Sequence, residues 1–123
     1  GTITVTDFKT GSSKTTGVIE KLDEENRLSG MMRQLAMYSY LIRGAEGNDV
    51  AESRLLFLEE DLKNKNALYR THVSGEQVEL LIRDIADYQN LLISGEWINR
   101  TCYSKPFGKS TECEHCARMN KIL

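Results

Sequence analysis

Apolar and polar residues alternate from Thr2 to Thr10, and this period of two predicts a strand over residues 2–10. Ile3, Val5, Asp7 and Lys9 share one face of that strand; Thr2, Thr4, Thr6, Phe8 and Thr10 share the other. Residues 11–26, GSSKTTGVIEKLDEEN, are small, polar and charged and read as a loop. The period then changes. Leu28, Met31, Met32, Leu35, Tyr38, Leu41 and Ile42 recur every three or four residues, predicting an amphipathic helix over 27–43. The glycines of GAEGND at 44–49 supply a helix stop.

A short apolar run at 51–59 and an alternating segment at 67–73 predict two further strands, joined by the turn EDLKNKN into an antiparallel hairpin. Ser74-Gly75-Glu76-Gln77 has the pattern of a capping box and opens a second helix. Its expected buried stripe is Val78, Leu81, Ile82, Ile85, Tyr88 or Gln89, and Leu92, and Gly95 ends it. Residues 96–123 show no clear period. The order strand, helix, strand, strand, helix, tail predicts an α/β fold with a mixed central sheet and flanking helices. A sheet so small leads us to expect further strands upstream of Gly1. We read residues 1–123 as a single domain, with an α/β core over about 1–98 and a cysteine-containing tail over about 99–123.

Composition narrows the classes. A chain of 123 residues is about one domain's worth, and 40% hydrophobic with 28% charged residues is the mix of a globular protein. The formal charge of −2 removes any global demand for a nucleic-acid partner, so DNA contact would need a local patch or metal ions. The loop at 12–27 supplies no such patch, because Glu20, Asp23, Glu24 and Glu25 offset Lys14, Lys21 and Arg27. No apolar run approaches the ~20 residues of a membrane span, and no leader pattern is seen, so the expected location is cytoplasmic with no membrane partner. Three cysteines, two of them in Cys113-Glu-His-Cys116, fit a reducing compartment better than a disulfide scaffold.

The charges at the end of the first strand need a reason, since burying an unpaired charge is costly. Asp7 and Lys9 neutralise each other as a salt bridge, or they line a site. A carboxylate there offers a hard oxygen ligand to Mg²⁺, and an ammonium group on the same face can orient water or stabilise developing negative charge. In the next helix, Gln34 and Tyr38 lie four residues apart on one face, and an amide on an otherwise apolar stripe needs a hydrogen-bond partner. Arg33 could reach a phosphate or lie on a solvated face. Phe8 and Trp97 read as core residues, with base stacking as the other use. His72, in a strand, reads as packing or surface rather than as a ligand.

VTDFKTG, a loop, then RQLAMYSYLI resembles the PD-(D/E)xK nuclease superfamily, and in particular the RecB-like nuclease domains fused to UvrD/Rep-type or AddAB-type DNA helicases. The likeness covers nearly the whole chain, with its specific content in residues 5–42. It implies a partial restriction-endonuclease-like core, Mg²⁺- or Mn²⁺-dependent hydrolysis of DNA, and work in bacterial recombination or repair beside a helicase domain. By the resemblance Asp7 binds metal, Lys9 supports the attacking water, and Gln34 and Tyr38 organise the site and the nearby DNA. The family carries a second metal-binding aspartate on the preceding strand, which this sequence does not contain. The expectation is therefore a piece with little or no activity of its own, whose missing carboxylate comes from upstream. The alternative is a degenerate nuclease fold kept for binding DNA or packing on a helicase. An unpaired sheet edge could also make a homodimer.

Some family members hold an iron–sulfur cluster with a terminal C-x2-C-x5-C. Cys113 and Cys116 fit its first pair, but Ile122 stands at the third position and Cys102 lies on the wrong side. A zinc site from Cys102, Cys113, Cys116 and His115 would ask two adjacent residues to ligate together. Free thiols are the reading preferred over either metal.

Overall fold

The computed structural model describes residues 1–61 and 63–96, with 103–104, 111–112, 114, 118 and 121–122. The chain divides into two compact units, Gly1–Ile85 and Ala86–Leu123.

The first unit is built on a three-stranded sheet. Strand β1 (Ile3–Lys9) leads through helices α1 (Thr16–Glu20) and α2 (Gly30–Glu46) to β2 (Val50–Phe57), which pairs parallel to β1. Strand β3 (Leu68–Thr71) returns antiparallel on the far side of β2, giving the order β1-β2-β3. Among the described residues β1 is thus an edge strand. Helix α3 (Gly75–Ser94) follows β3 and runs across the boundary between the units.

Register decides which side chains meet. Asp7 stands beside Leu55, and Leu55 beside Tyr69; Lys9 stands beside Phe57. That face carries the core: Leu55, Phe57 and Tyr69 from the sheet, Met32, Leu35 and Ala36 from α2, Ile19 from α1, and Leu81 from α3. Asp7 and Lys9 therefore extend the row of core residues at the edge strand. The opposite face carries Phe8, Leu56 and Leu68 in one row, and Phe8 is 62% exposed. Phe8, expected in the core, lies outside it, because the helices that contribute to the core pack on the other face.

The ends of α2 show why it forms where it does. Ser29 caps it, its Oγ accepting from Met32 N at 3.1 Å and donating to the Ile19 carbonyl. The helix starts at Gly30 rather than Arg27 and continues past Gly44 to Glu46. Gly47 is the residue that turns left-handed, with φ 68°, and its N–H meets the Arg43 carbonyl at 3.0 Å. Helix α1 lies in the segment expected as loop. It is one turn long, and Ile19, 1% exposed, is the apolar residue that docks it; a single turn in a polar stretch leaves no periodicity to read.

Helix α3 opens with the expected capping box: Gln77 N donates to Ser74 Oγ at 3.2 Å and Ser74 N to Gln77 Oε1 at 2.9 Å. Its stripe differs from expectation. Leu81 is buried and Val78 half-buried, but Ile82, Ile85, Tyr88 and Leu92 are all exposed. Period tells which residues share a helical face; it does not supply a surface to cover them.

In the second unit, the last turns of α3 are followed by the short strands β4 (Tyr103–Ser104) and β5 (Thr111–Glu112), paired antiparallel. Trp97, Cys102, Cys113, His115 and Cys116 lie outside the described residues.

Candidate active site

Four side chains from β1 and α2 meet at the end of β1. The Lys9 Nζ lies 2.7 Å from Asp7 Oδ2, with the two side chains 22% and 12% exposed. Lys9 Nζ also donates a short hydrogen bond to Gln34 Oε1. The Gln34 amide turns its other end to the carboxylate: Nε2 donates to Asp7 Oδ1 at 3.1 Å and to Tyr38 OH at 2.8 Å. The Tyr38 hydroxyl in turn donates to Asp7 Oδ1 at 3.1 Å. All four residues singled out in the sequence are thus in one network.

Backbone periods place them there. Asp7 and Lys9 are two apart on a strand, so they point the same way. Gln34 and Tyr38 are four apart on a helix, so they stack one above the other. Side-chain hydrogen bonds between α2 and β1 join the second pair to the first. Every proton of the Gln34 amide has an acceptor, which answers the question raised by an amide on an apolar stripe.

Asp7 Oδ2 is the exception. It is buried, and its partner is the Lys9 ammonium of the ion pair, 2.7 Å away. A carboxylate oxygen is a hard donor of the kind a divalent cation takes, but here it is engaged by an ammonium. Among the described residues no three His, Cys, Asp or Glu side chains are grouped to hold a metal.

The surroundings are tied down by other contacts. Leu58 N donates to the Lys9 carbonyl at 2.9 Å, closing the end of the parallel pair. Ser13 N donates to Glu60 Oε1 at 2.8 Å, joining the loops that follow β1 and β2, and this bond holds the Glu60 carboxyl below its ordinary value. Arg33, a candidate phosphate contact by sequence, is engaged by protein: its Nε lies 3.5 Å from Asp84 Oδ2 and it donates to the Leu28 carbonyl at 3.2 Å. Asp84 also meets Arg27 at 3.4 Å. The sequence reading missed Asp84; its signal was an acid three residues beyond Leu81, on the helix's inward side. His72 is exposed, its Nδ1 3.3 Å from the Ala51 carbonyl, as a surface residue would be.

The sequence model of the PD-(D/E)XK nuclease superfamily matches residues 1–120. The chain belongs to the PD-(D/E)XK nuclease superfamily. The three-stranded mixed sheet with flanking helices is consistent with a partial restriction-endonuclease-like fold. Membership implies DNA binding, and PD-(D/E)XK nucleases generally use Mg²⁺ or Mn²⁺. No curated protein and no solved structure matches the chain. Among the described residues no helix is long and apolar enough to cross a membrane.

Proposed function

We propose that this chain is the nuclease module of a bacterial RecB-like helicase–nuclease, hydrolysing DNA phosphodiester bonds during recombination or repair in the cytoplasm. The single observation that carries the reading is the closed network of Asp7, Lys9, Gln34 and Tyr38. Either pair alone is a common pattern. The two in mutual contact fit the superfamily's strand and helix motifs together.

A divalent ion, when bound, supplies charge neutralisation and a more acidic water. Asp7 Oδ2 holds it. Lys9, with its ammonium on the same face, orients the attacking water and stabilises the charge that develops on phosphate. Gln34 holds the Lys9 ammonium through Oε1 and the Asp7 carboxylate through Nε2, so it fixes the spacing between base-side and metal-side groups. Tyr38 keeps Asp7 Oδ1 occupied, which leaves Oδ2 as the oxygen presented.

One carboxylate is a thin basis for a metal site. We read the remaining oxygen ligands as coming from a strand added along the free edge of β1, which would set its own inward residues beside Asp7. The 123-residue chain by itself is then expected to cut poorly, and a helicase domain is its expected neighbour. The same edge could pair with a second copy. The grouping of fewer than three metal-ligating side chains among the described residues favours one other reading, a degenerate nuclease fold that binds DNA without cutting it.

The test uses the full parent protein and its Lys9→Ala variant on end-labelled single-stranded DNA with Mn²⁺. We expect about a hundredfold loss of cleavage or more, the scale seen when one charge-stabilising donor is removed. Equal cutting by both removes Lys9 from the mechanism, and no cutting by the parent selects the binding module.

A further inference from the structure

We propose that Glu60 is a positioning residue for DNA: its carboxylate clasps the loops that follow β1 and β2, so that Lys14, Lys63 and Lys65 meet the phosphates of a strand entering the site. The inference rests on the reading of this site as one that takes DNA, and deepens it by naming contacts.

Strands β1 and β2 run parallel, and Lys9 stands beside Phe57 in the last pair of their register. The loops that leave these strands, residues 10–15 and 58–67, therefore start from the same end of the sheet as Asp7 and Lys9. Glu60 joins the two loops, one carboxylate oxygen to each. Its Oε1 accepts from Ser13 N at 2.8 Å, and its Oε2 accepts from Asn64 Nδ2 at 2.9 Å. Asn64 is the fixed point of the second loop. Its N–H donates to the Asp61 carbonyl at 2.7 Å, its Oδ1 accepts from Asn66 N at 2.9 Å, and its carbonyl accepts from Ala67 N at 2.9 Å. Lys14 follows Ser13, and Lys63 and Lys65 flank Asn64. All three lysines are thus carried on backbone that Glu60 ties down.

The charges of these loops are sorted. Glu60 and Asp61 accept main-chain N–H bonds from Ser13 and Lys63, whose dipoles offset the carboxylates. Glu59 alone among these loops' described acids makes no such bond. Lys14, Lys63 and Lys65 are exposed, and none takes part in a salt bridge among the described residues. Each ammonium that meets a phosphate releases a counterion, and backbone already held in place lowers the ordering cost of the contact. By charge alone Glu60 repels DNA; as a clasp it strengthens binding. The two roles differ in sign.

The experiment reads binding and not cleavage. Fluorescence anisotropy follows a labelled single-stranded oligonucleotide titrated with the 123-residue chain in EDTA, at several NaCl concentrations. Wild type is compared with a Lys14→Gln/Lys63→Gln/Lys65→Gln triple variant, with Glu60→Ala, with Asn64→Ala, which removes the clasp's other end, and with Glu60→Ala on the triple background. Each is first checked for a folded amide spectrum. The triple variant should lose about tenfold or more in affinity, and its log–log salt slope should flatten by about 0.7 per lost contact. Glu60→Ala and Asn64→Ala should each weaken binding about threefold or more and flatten the slope. On the triple background Glu60→Ala should weaken nothing further, because residues that act as one unit are not additive. Wild-type affinity in the triple variant overturns the proposal. So does unchanged or tighter binding by Glu60→Ala, the result expected from charge alone, and so does an additive loss on the triple background, the mark of general loosening. A wild-type chain that binds no oligonucleotide also overturns it, while the cleavage reading still stands or falls on Lys9→Ala in the parent protein.

Discussion

Helices α2 and α3 look alike as patterns and differ as structures. Each carries an apolar residue every three or four positions, and each is opened by a serine whose hydroxyl accepts from the first turn. Yet α2 buries Met32, Leu35 and Ala36 almost completely, whereas α3 buries Leu81 and leaves Ile82 and Ile85 exposed. The difference lies in what each helix faces. Helix α2 packs on β2, which places Leu55 and Phe57 in the core cluster, while the four-residue β3 places only Tyr69 there. The helix with the better-covered stripe is also the one that tolerates polar residues on it. Gln34 interrupts the apolar period of α2 and is held by hydrogen bonds to Asp7, Lys9 and the Tyr38 hydroxyl.

The sharpest test of that contrast is truncation of one leucine and one isoleucine. Leu35 is fully buried, so Leu35→Ala removes apolar contact and leaves a cavity. Its expected cost is about 2–5 kcal/mol. Ile85→Ala, on the exposed side of α3, should lie within about 0.5 kcal/mol of wild type. Urea unfolding of the two variants gives both numbers. A cost at Ile85 approaching that at Leu35 would mean that the α3 stripe is covered in solution, and the contrast between the helices would disappear.

The surface both helices share contains a second probe. Tyr69 sits in the core cluster, and its hydroxyl donates to Glu20 Oε1 at 2.7 Å. Burial, with the Glu20 carboxylate adding to it, pushes the phenol up to about 12. The folded state thus holds this proton more tightly than the unfolded chain, whose tyrosine titrates near 10. The stabilisation is fully present below pH 10 and is lost as the pH rises toward 12. We expect about 1–2 kcal/mol of stability to go over that window, after allowing for solvent near the hydroxyl. Tyr69→Phe should flatten this part of the profile. An unchanged profile would show that another group controls the alkaline limit.

How far these features could be read beforehand depends on how local their causes are. The strand at 2–10, the amphipathic helix reaching Arg43, the hairpin and the capping box at Ser74 are set by neighbours in sequence, and they are where the periods put them, with ends shifted by a few residues. Local periods paired Asp7 with Lys9 and Gln34 with Tyr38, each with a bland reading beside it. That the two pairs belong to one site was implied by the family resemblance and not by the periods. Helix α1 was not legible, because its one turn is held by tertiary contact at Ile19 and by Ser29 Oγ. Nor was Asp84, whose partners Arg27 and Arg33 lie more than fifty residues away. Phe8 was misjudged on the rule that aromatic residues seek the core; the side of the sheet on which the helices pack is a property of the whole fold, and a nine-residue stretch does not contain it.

The smallest effect separates the two caps. Ser29 and Ser74 each satisfy a free N–H at the start of a long helix, and loss of either should cost about 1 kcal/mol. Ser29 has a second task that Ser74 lacks, since its hydroxyl also donates to the Ile19 carbonyl and so pins α1 to the start of α2. Ser29→Ala should therefore loosen a segment as well as weaken a helix. Limited trypsin digestion reads this directly, because Lys21 follows α1 immediately. Cleavage after Lys21 should quicken in Ser29→Ala and stay at the wild-type rate in Ser74→Ala, at matched overall stability. Equal cleavage in the two would leave Ile19 packing as the whole attachment of α1, and the covered helix would then owe nothing to its cap beyond what the uncovered one does.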